Sequence, residues 1–254
     1  EVNKAVDLID WPVIIKPVDN RGAFCVNVVR GPDELKPAFL DAVMNAHSRE
    51  VIVEAYIEGT HITVDGCVDR DGKHHNLAVA SKVVSPGEKP IITEVLYPAD
   101  ISTEVFAHVE QTNERVVRAL NICSGLTHSE YIVDAMGRCF LVETANRGGG
   151  VLTSALIVPR LSGMDLNRLL LCQALNLPFD ETPDPTGEVC KLVFFVFPEG
   201  RVEALDGIEE ARALPGVLHL QMLIEAGDFL EPPTSGAGRH GFAIIVADTH
   251  EALQ

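Results

Sequence analysis

An α+β fold is what this sequence predicts, and three observations carry the expectation. Short apolar runs come in pairs around turns that contain Gly, Asp or Asn, the pattern of antiparallel hairpins. Apolar residues recur at helical spacing in three long stretches, 32–47, 102–120 and 165–175. A Pro-rich acidic segment, residues 177–187, then marks a boundary before a tail of further strands.

Residues 11–17 form a short apolar strand ending in Lys16 and Pro17, and residues 24–30 alternate as its partner across the turn Asp19-Asn20-Arg21-Gly22-Ala23. A lysine at a strand end beside a Gly-containing loop suits a phosphate, offering a point charge and inward-facing amides; a plain hairpin turn explains the same residues. Pro32, Asp33 and Glu34 suit the first turn of a helix, with Leu35, Phe39, Ala42 and Val43 along one face. Residues 51–59 read as a buried strand running into Gly59. Residues 61–66 and 76–84 read as strands about the turn Asp69-Arg-Asp-Gly72, and 93–98 as a short extended piece. In the helix at 102–120, Phe106, Val109, Val116, Val117 and Leu120 are available for the core, and the Leu-rich helix at 165–175 is core packing. Past the boundary come strands at 189–197, 217–224 and 242–246 and a short helix at 207–213, a small β-rich appendage.

The stretch from Glu130 to Gly150 concentrates the chemistry. Residues 131–133 and 139–142 flank Asp134-Ala-Met-Gly137 as a hairpin, which returns Glu143 to the end of the pair where Glu130 sits. Asn146, Arg147 and three glycines follow. Two carboxylates and an amide oxygen suit a hard cation such as Mg²⁺, Arg147 can clamp a phosphoryl or carboxylate group, and glycines admit a substrate close to the backbone. The plain alternative is a surface hairpin with solvated acids.

Composition bounds these readings. The 254 residues include 20 Lys+Arg against 37 Asp+Glu, a formal charge of −17 that argues against nucleic acid or an anionic membrane as partner. Six cysteines show no CxxC or His-paired spacing, so buried thiols in a reducing compartment, the cytoplasm, are expected. There is no signal peptide and no apolar run of membrane-spanning length. The chain opens on Glu1 as if in mid-domain, and a fragment is expected.

The ordered set Lys16, the turn after it, Glu54-Ala-Tyr-Ile-Glu58-Gly59, Lys82, Glu130, Glu143 and Arg147-Gly-Gly resembles the ATP-grasp superfamily over residues 8–176. The tail at 217–247, with Gly227-Asp-Phe-Leu-Glu-Pro-Pro and Arg239-His-Gly241, resembles the C-terminal extension of ATP-grasp amino-acid (dipeptide) ligases. The resemblance implies two α+β subdomains whose antiparallel sheets grip ATP. Residues 1–57 would be the smaller, lid subdomain, lacking its opening part and the domain before it; 58–180 the larger, with the metal site; and 181–254 the extension.

By the same resemblance, Lys16 binds the α- and β-phosphates and Asn20, Arg21, Gly22 and Ala23 cover them, although Phe24 and Cys25 make that loop bulkier than is usual. Glu54, Ala55, Tyr56 and Ile57 form the adenine hinge. His61 stands where a Glu often holds the ribose hydroxyls, and Lys82 is a second phosphate lysine. Glu130, Glu143 and Asn146 would bind Mg²⁺ or Mn²⁺, and Arg147, Gly148 and Gly149 would face the substrate, with Arg147 catalytic. The usual Glu-x-Asn-x-Arg is here Glu143-Thr-Ala145-Asn146-Arg147, with Asn displaced by one; since neighbouring strand residues face opposite ways, Asn146 reaches the metal only if the backbone bulges. The activity implied is an ATP- and Mg-dependent carboxylate–amine ligase that forms an amide through an acyl phosphate, with small-molecule carboxylate and amine as partners. Two alternatives stay open: an enzyme of the biotin-carboxylase or carbamoyl-phosphate-synthase kind, for which no biotin-carrier lysine motif is present, and a non-catalytic nucleotide-binding module. Oligomeric state, a homodimer included, stays open as well.

Overall fold

The computed structural model describes residues 9–20, 22, 24–85, 91–233 and 235–253, and two antiparallel sheets dominate them. The smaller has three strands. β1 (Val13–Pro17) lies between β2 (Asn27–Val29) and β3 (Val51–Ala55). Strand alternation sends Val13, Ile15, Val29, Val51 and Val53 to one face, where Leu35, Ala38 and Ala42 of helix α1 (Pro32–Asn45) bury them. Pro32 opens that helix where an N–H would lack an intrahelical partner in any case, and Asp33 and Glu34 sit at the positive end of its dipole. α1 leaves the opposite face, with Ile14, Lys16, Ile52 and Glu54, uncovered.

The larger sheet is built from β4 (Thr60–Val68), β5 (His74–Val84), β6 (Ile92–Tyr97), β7 (Gly125–Val133), β8 (Cys139–Ala145) and β9 (Val189–Phe195). Two short strands, β10 (Gly200–Arg201) and β12 (Phe229–Leu230), pair with each other, while β11 (Val217–Met222) and β13 (Gly241–Ala247) join the large sheet. Its order is β11-β13-β9-β6-β5-β4-β7-β8. The tail expected as an appendage therefore delivers three strands into this sheet, with residues 94–97 of β6 pairing residues 190–193 of β9. That pairing covers a sheet edge that would otherwise expose its backbone groups.

Each face of the large sheet has its own core. Ile62, Val64, Val79, Tyr131 and Val133 pack on Val109 of α2 (Thr103–Ala119). Ser102 caps that helix, its hydroxyl accepting from Val105 N–H. On the other face, Val95, Tyr97, Cys190, Leu192 and Ile244 pack beneath Ile157, Val158 and Leu166. These come from a π-helical turn (Thr153–Ile157) that runs into α3 (Val158–Ser162), and from α4 (Leu166–Ala174). α5 (Ile208–Arg212) lies outside both cores. No helix among the described residues is long and apolar enough to cross a membrane.

Three details depart from the sequence expectation. Leu120, expected in the core, is 54% exposed just past the end of α2, and the face it was assigned to is completed by Asn113, which is fully buried. Tyr131 hydroxyl donates to Asn113 Oδ1, and Asn113 Nδ2 donates to Asn76 Oδ1, so the buried amide is satisfied within an otherwise apolar face. β7 begins at Gly125, six residues before the expected start, because polar Thr127, His128 and Ser129 hide a strand from a search for apolar runs.

Candidate active site

β4 lies between β5 and β7, and its register builds the site. His61 faces Lys82 on β5 and Ile132 on β7; Thr63 faces Glu130; Asp65 faces His128. Residues two apart on a strand share a face, so His61, Thr63 and Asp65 look out on the side of Lys82, His128 and Glu130. β8 then sets Glu143 directly opposite Glu130. Such partners hold their Cβ atoms about 4.5–5.5 Å apart, so the two carboxylates meet on one face, as the hairpin reading expected. The turn is tied by Asp134, whose Oδ1 accepts from Met136 and Arg138 N–H, and by Gly137 at φ 76°.

Lys82 Nζ lies 2.7 Å from Glu130 Oε1, and His128 Nε2 lies 3.5 Å from the same oxygen. The other imidazole nitrogen, Nδ1, is 2.8 Å from Oδ1 of Asp65, a side chain only 3% exposed. Burial alone would raise the Glu130 pKa, but the His128 contact and the Lys82 charge overcome it and hold the carboxyl down to about 2. Burial likewise opposes charge on His128, yet contacts with Asp65 and Glu130 carry it up to about 9. His61 is shifted down, by burial first and then by Lys82, so it stands as a neutral ring with one donor and one acceptor.

The glycines after β8 connect to the same cluster. A Cβ on Gly149 would lie 2.8 Å from Asp65 Oδ1, so that backbone rests against the buried carboxylate, and Gly148 is packed as tightly on Ser154. Arg147, exposed, turns its Nη1 to Gly148 O at 2.8 Å. Val151 and Leu152 follow in the left-handed region at φ 50° and 59°, a strained passage for two side chains with a Cβ.

Asn146 does not join the carboxylates. Its Nδ2 donates to Leu126 O at 2.9 Å and Ser124 O at 3.0 Å, on the side of the sheet that Thr144 shares with Ser129. The β7–β8 ladder shifts register between Glu130 and Tyr131, but residues 143–145 stay regular, so alternation is preserved and Ala145 occupies the Glu143 face. Among the described residues no three His, Cys, Asp or Glu side chains gather as a complete metal cage. Glu130 and Glu143 still fit Mg²⁺, which ordinarily takes one or two carboxylates and fills its shell with water and phosphate oxygens.

On the smaller sheet, Lys16 Nζ lies 2.6 Å from Glu54 Oε2, on the face α1 leaves open. β3 ends at Ala55, Tyr56 N–H donates to Pro12 O at 3.0 Å, and Ile57 follows before the chain enters β4. Gly59 is required there, because a Cβ would run into the Val133 backbone. Asn20 Nδ2 donates to Asn45 O, and Gly22 takes φ 65°; Arg21 and Ala23 lie outside the described residues. Sequence reasoning missed Asp65 and His128. A signal was available: His128 stands two residues before Glu130 and so shares its face, and Asp65 is the one acid in β4.

The chain is similar in sequence and in fold to known proteins. The ATP-grasp domain family matches residues 9–155, and the L-amino acid ligase C-terminal domain 2 family matches residues 193–254. A D-alanine–D-alanine ligase of Parabacteroides distasonis is 28% identical over 180 residues, covering 66% of this chain and 52% of its own length. Among solved structures, an L-amino acid ligase from Bacillus licheniformis superposes with a TM-score of 0.81 at 23% identity, over 96% of this chain and 60% of that one. A biotin carboxylase from Campylobacter jejuni gives 0.70 at 17%, over 96% and 55%. The chain thus spans about half the length of the curated relatives it matches.

Proposed function

The chain belongs to the ATP-grasp family, and from that premise we propose that it supplies the nucleotide and metal half of an ATP-dependent carboxylate–amine ligase. The observation that carries the reading is the Glu130–Glu143 pair, opposed on one sheet face with Lys82 against Glu130. Lys16 and Lys82 act as point charges for phosphates. The backbone of Ala55 and Ile57 meets the adenine edge, beside Glu54 and Tyr56, while neutral His61 takes the ribose hydroxyls. Glu130 and Glu143 would hold the divalent ion, Mg²⁺ or Mn²⁺, which would supply charge neutralisation at the phosphates. A substrate carboxylate oxygen attacks the γ-phosphorus and ADP leaves; the amine then displaces phosphate from the acyl phosphate to give the amide. Arg147 faces that intermediate, and Gly148 and Gly149 let the acyl group approach the backbone. No side-chain nucleophile is needed, and burial pushes the Cys67 and Cys190 thiols up to about 12, out of nucleophilic use. Three divisions serve this role: 1–57 as lid, 58–180 as metal-bearing subdomain, and 181–254 as an extension.

Glu143 is exposed, so Glu143→Ala is expected to abolish Mg-dependent ADP release while changing stability by no more than about 0.5 kcal/mol. Coupled ADP detection over mixed amino acids, read beside a thermal melt, tests this. A large fall in melting temperature with an unchanged rate per folded molecule would sink the assignment. The engagement of Asn146 with backbone favours a second reading, a nucleotide-binding module without turnover. That reading predicts Mg-dependent ADP binding with no ADP release for any carboxylate and amine.

A further inference from the structure

Glu130 is held by two partners that both fall on one of its oxygens: Lys82 Nζ at 2.7 Å and His128 Nε2 at 3.5 Å, each to Oε1. His128 does not stand alone in this. Its Nδ1 is anchored 2.8 Å from Asp65 Oδ1, on the neighbouring central strand, with Thr63 Oγ1 3.4 Å from the same nitrogen. The second Asp65 oxygen, Oδ2, is buried without a hydrogen-bond partner among the described residues, so the imidazole is the main compensation for placing a carboxylate there. The Gly149 backbone also comes close to Asp65, since a Cβ there would lie 2.8 Å from Asp65 Oδ1. Position 145, where an oxygen-bearing side chain would face the metal, is Ala145 and lies directly opposite His128.

We propose that Asp65 and His128 are positioning residues for the metal site, a carboxylate–imidazole chain from β4 that aims the Glu130 carboxylate at the divalent ion. This rests on the metal-binding reading of Glu130 given above. Outer partners of metal ligands work in this way generally: they fix a ligand's orientation, and their loss typically weakens metal binding about 10–100-fold. In this chain the aim comes from the sheet centre, in place of an amide on the strand that carries Glu143.

The test is calorimetric titration of ADP into the protein with MgCl₂ and, separately, with EDTA, for the wild type, Asp65→Asn, His128→Gln and the double variant. Each single variant is expected to lose about 10–100-fold of the Mg-dependent gain in ADP affinity while ADP binding in EDTA changes less than about twofold, within the additivity error of a distant site. The double variant is expected to be no weaker than the weaker single one, because the residues act in series. Gly149→Ala should move the same quantity the same way. A wild type without Mg-dependent ADP binding overturns the metal-site reading and this inference with it. A wild type with that dependence and single variants that match it overturns this inference alone, as do equal losses in MgCl₂ and EDTA, additive losses in the double variant, or failure of both single variants to fold.

Discussion

Glu130 is where the site's electrostatics converge, with Lys82 and His128 both against it. Lys82 is nearly buried, and removing it as Lys82→Met leaves a half-buried carboxylate with His128 as its only ion partner among the described residues. A loss of about 1–3 kcal/mol is expected, the usual cost of stranding such a group, read as a lower urea midpoint at unchanged m. pH separates the two sides of the pair in metal-free protein. His128 is raised from its ordinary 6.5 to about 9, so its contribution is complete below 6.5 and fades as pH climbs to 9. Glu130 is lowered from 4.5 to about 2, so its contribution is present above 4.5 and fades as pH falls to 2. Their mutual contact enters both shifts and counts once. Urea melts in EDTA from pH 6 to 9.5 should show stability declining for the wild type and a flatter profile for His128→Gln. Equal slopes would mean that Asp65 and Glu130 do not hold a proton on the ring.

At the scale of elements, the contact that docks α2 is a buried polar chain, Tyr131 hydroxyl to Asn113 to Asn76, within an otherwise apolar face. Tyr131→Phe removes the donor and leaves Asn113 Oδ1 unsatisfied in the interior. A cost of about 1–3 kcal/mol follows, or roughly 2–10 °C in melting temperature for a chain of this size; a shift under 1 °C would show that the chain adds nothing to docking. Such elements also show what a sequence reveals. Helix positions were legible because Leu35, Phe39 and Ala42, and likewise Phe106, Val109 and Val116, recur at helical spacing and Pro32 and Ser102 mark starts. The hairpin joining Glu130 to Glu143 was legible because Gly137 and Asp134 announce its turn. The first half of β7 was not, since Thr127, His128 and Ser129 carry no apolar signal, and the site residue among them was lost with it. Asp65 was hidden for another reason: its partner lies 63 residues away, and only the β4–β7 register brings them together. The position of Asn146 was legible in outline, because alternation alone sends it to the face opposite Glu143.

Across the whole molecule, the two lysines proposed to meet the phosphates sit on different sheets, Lys16 on the small one and Lys82 on the large, joined by the passage from β3 through Gly59 into β4. Each lysine is paired with a glutamate, and the chain carries a formal charge of −17, so a polyanion such as ATP would enter against the overall field and would need local positive charge and a metal. A nucleotide that spans the two sheets should therefore stabilise them together, and only with Mg²⁺ present. Free ligand at about 100 times its dissociation constant adds roughly 2.7 kcal/mol, worth about 5–10 °C for a domain of this size. A thermal melt with saturating MgATP should rise by that amount in one transition, with little rise for ATP in EDTA. Lys16→Met and Lys82→Met should each reduce the rise, because each removes one sheet's hold on the phosphates. A rise that survives Lys16→Met unchanged would confine the nucleotide to the large sheet, and a rise equal in EDTA would remove Glu130 and Glu143 from the binding.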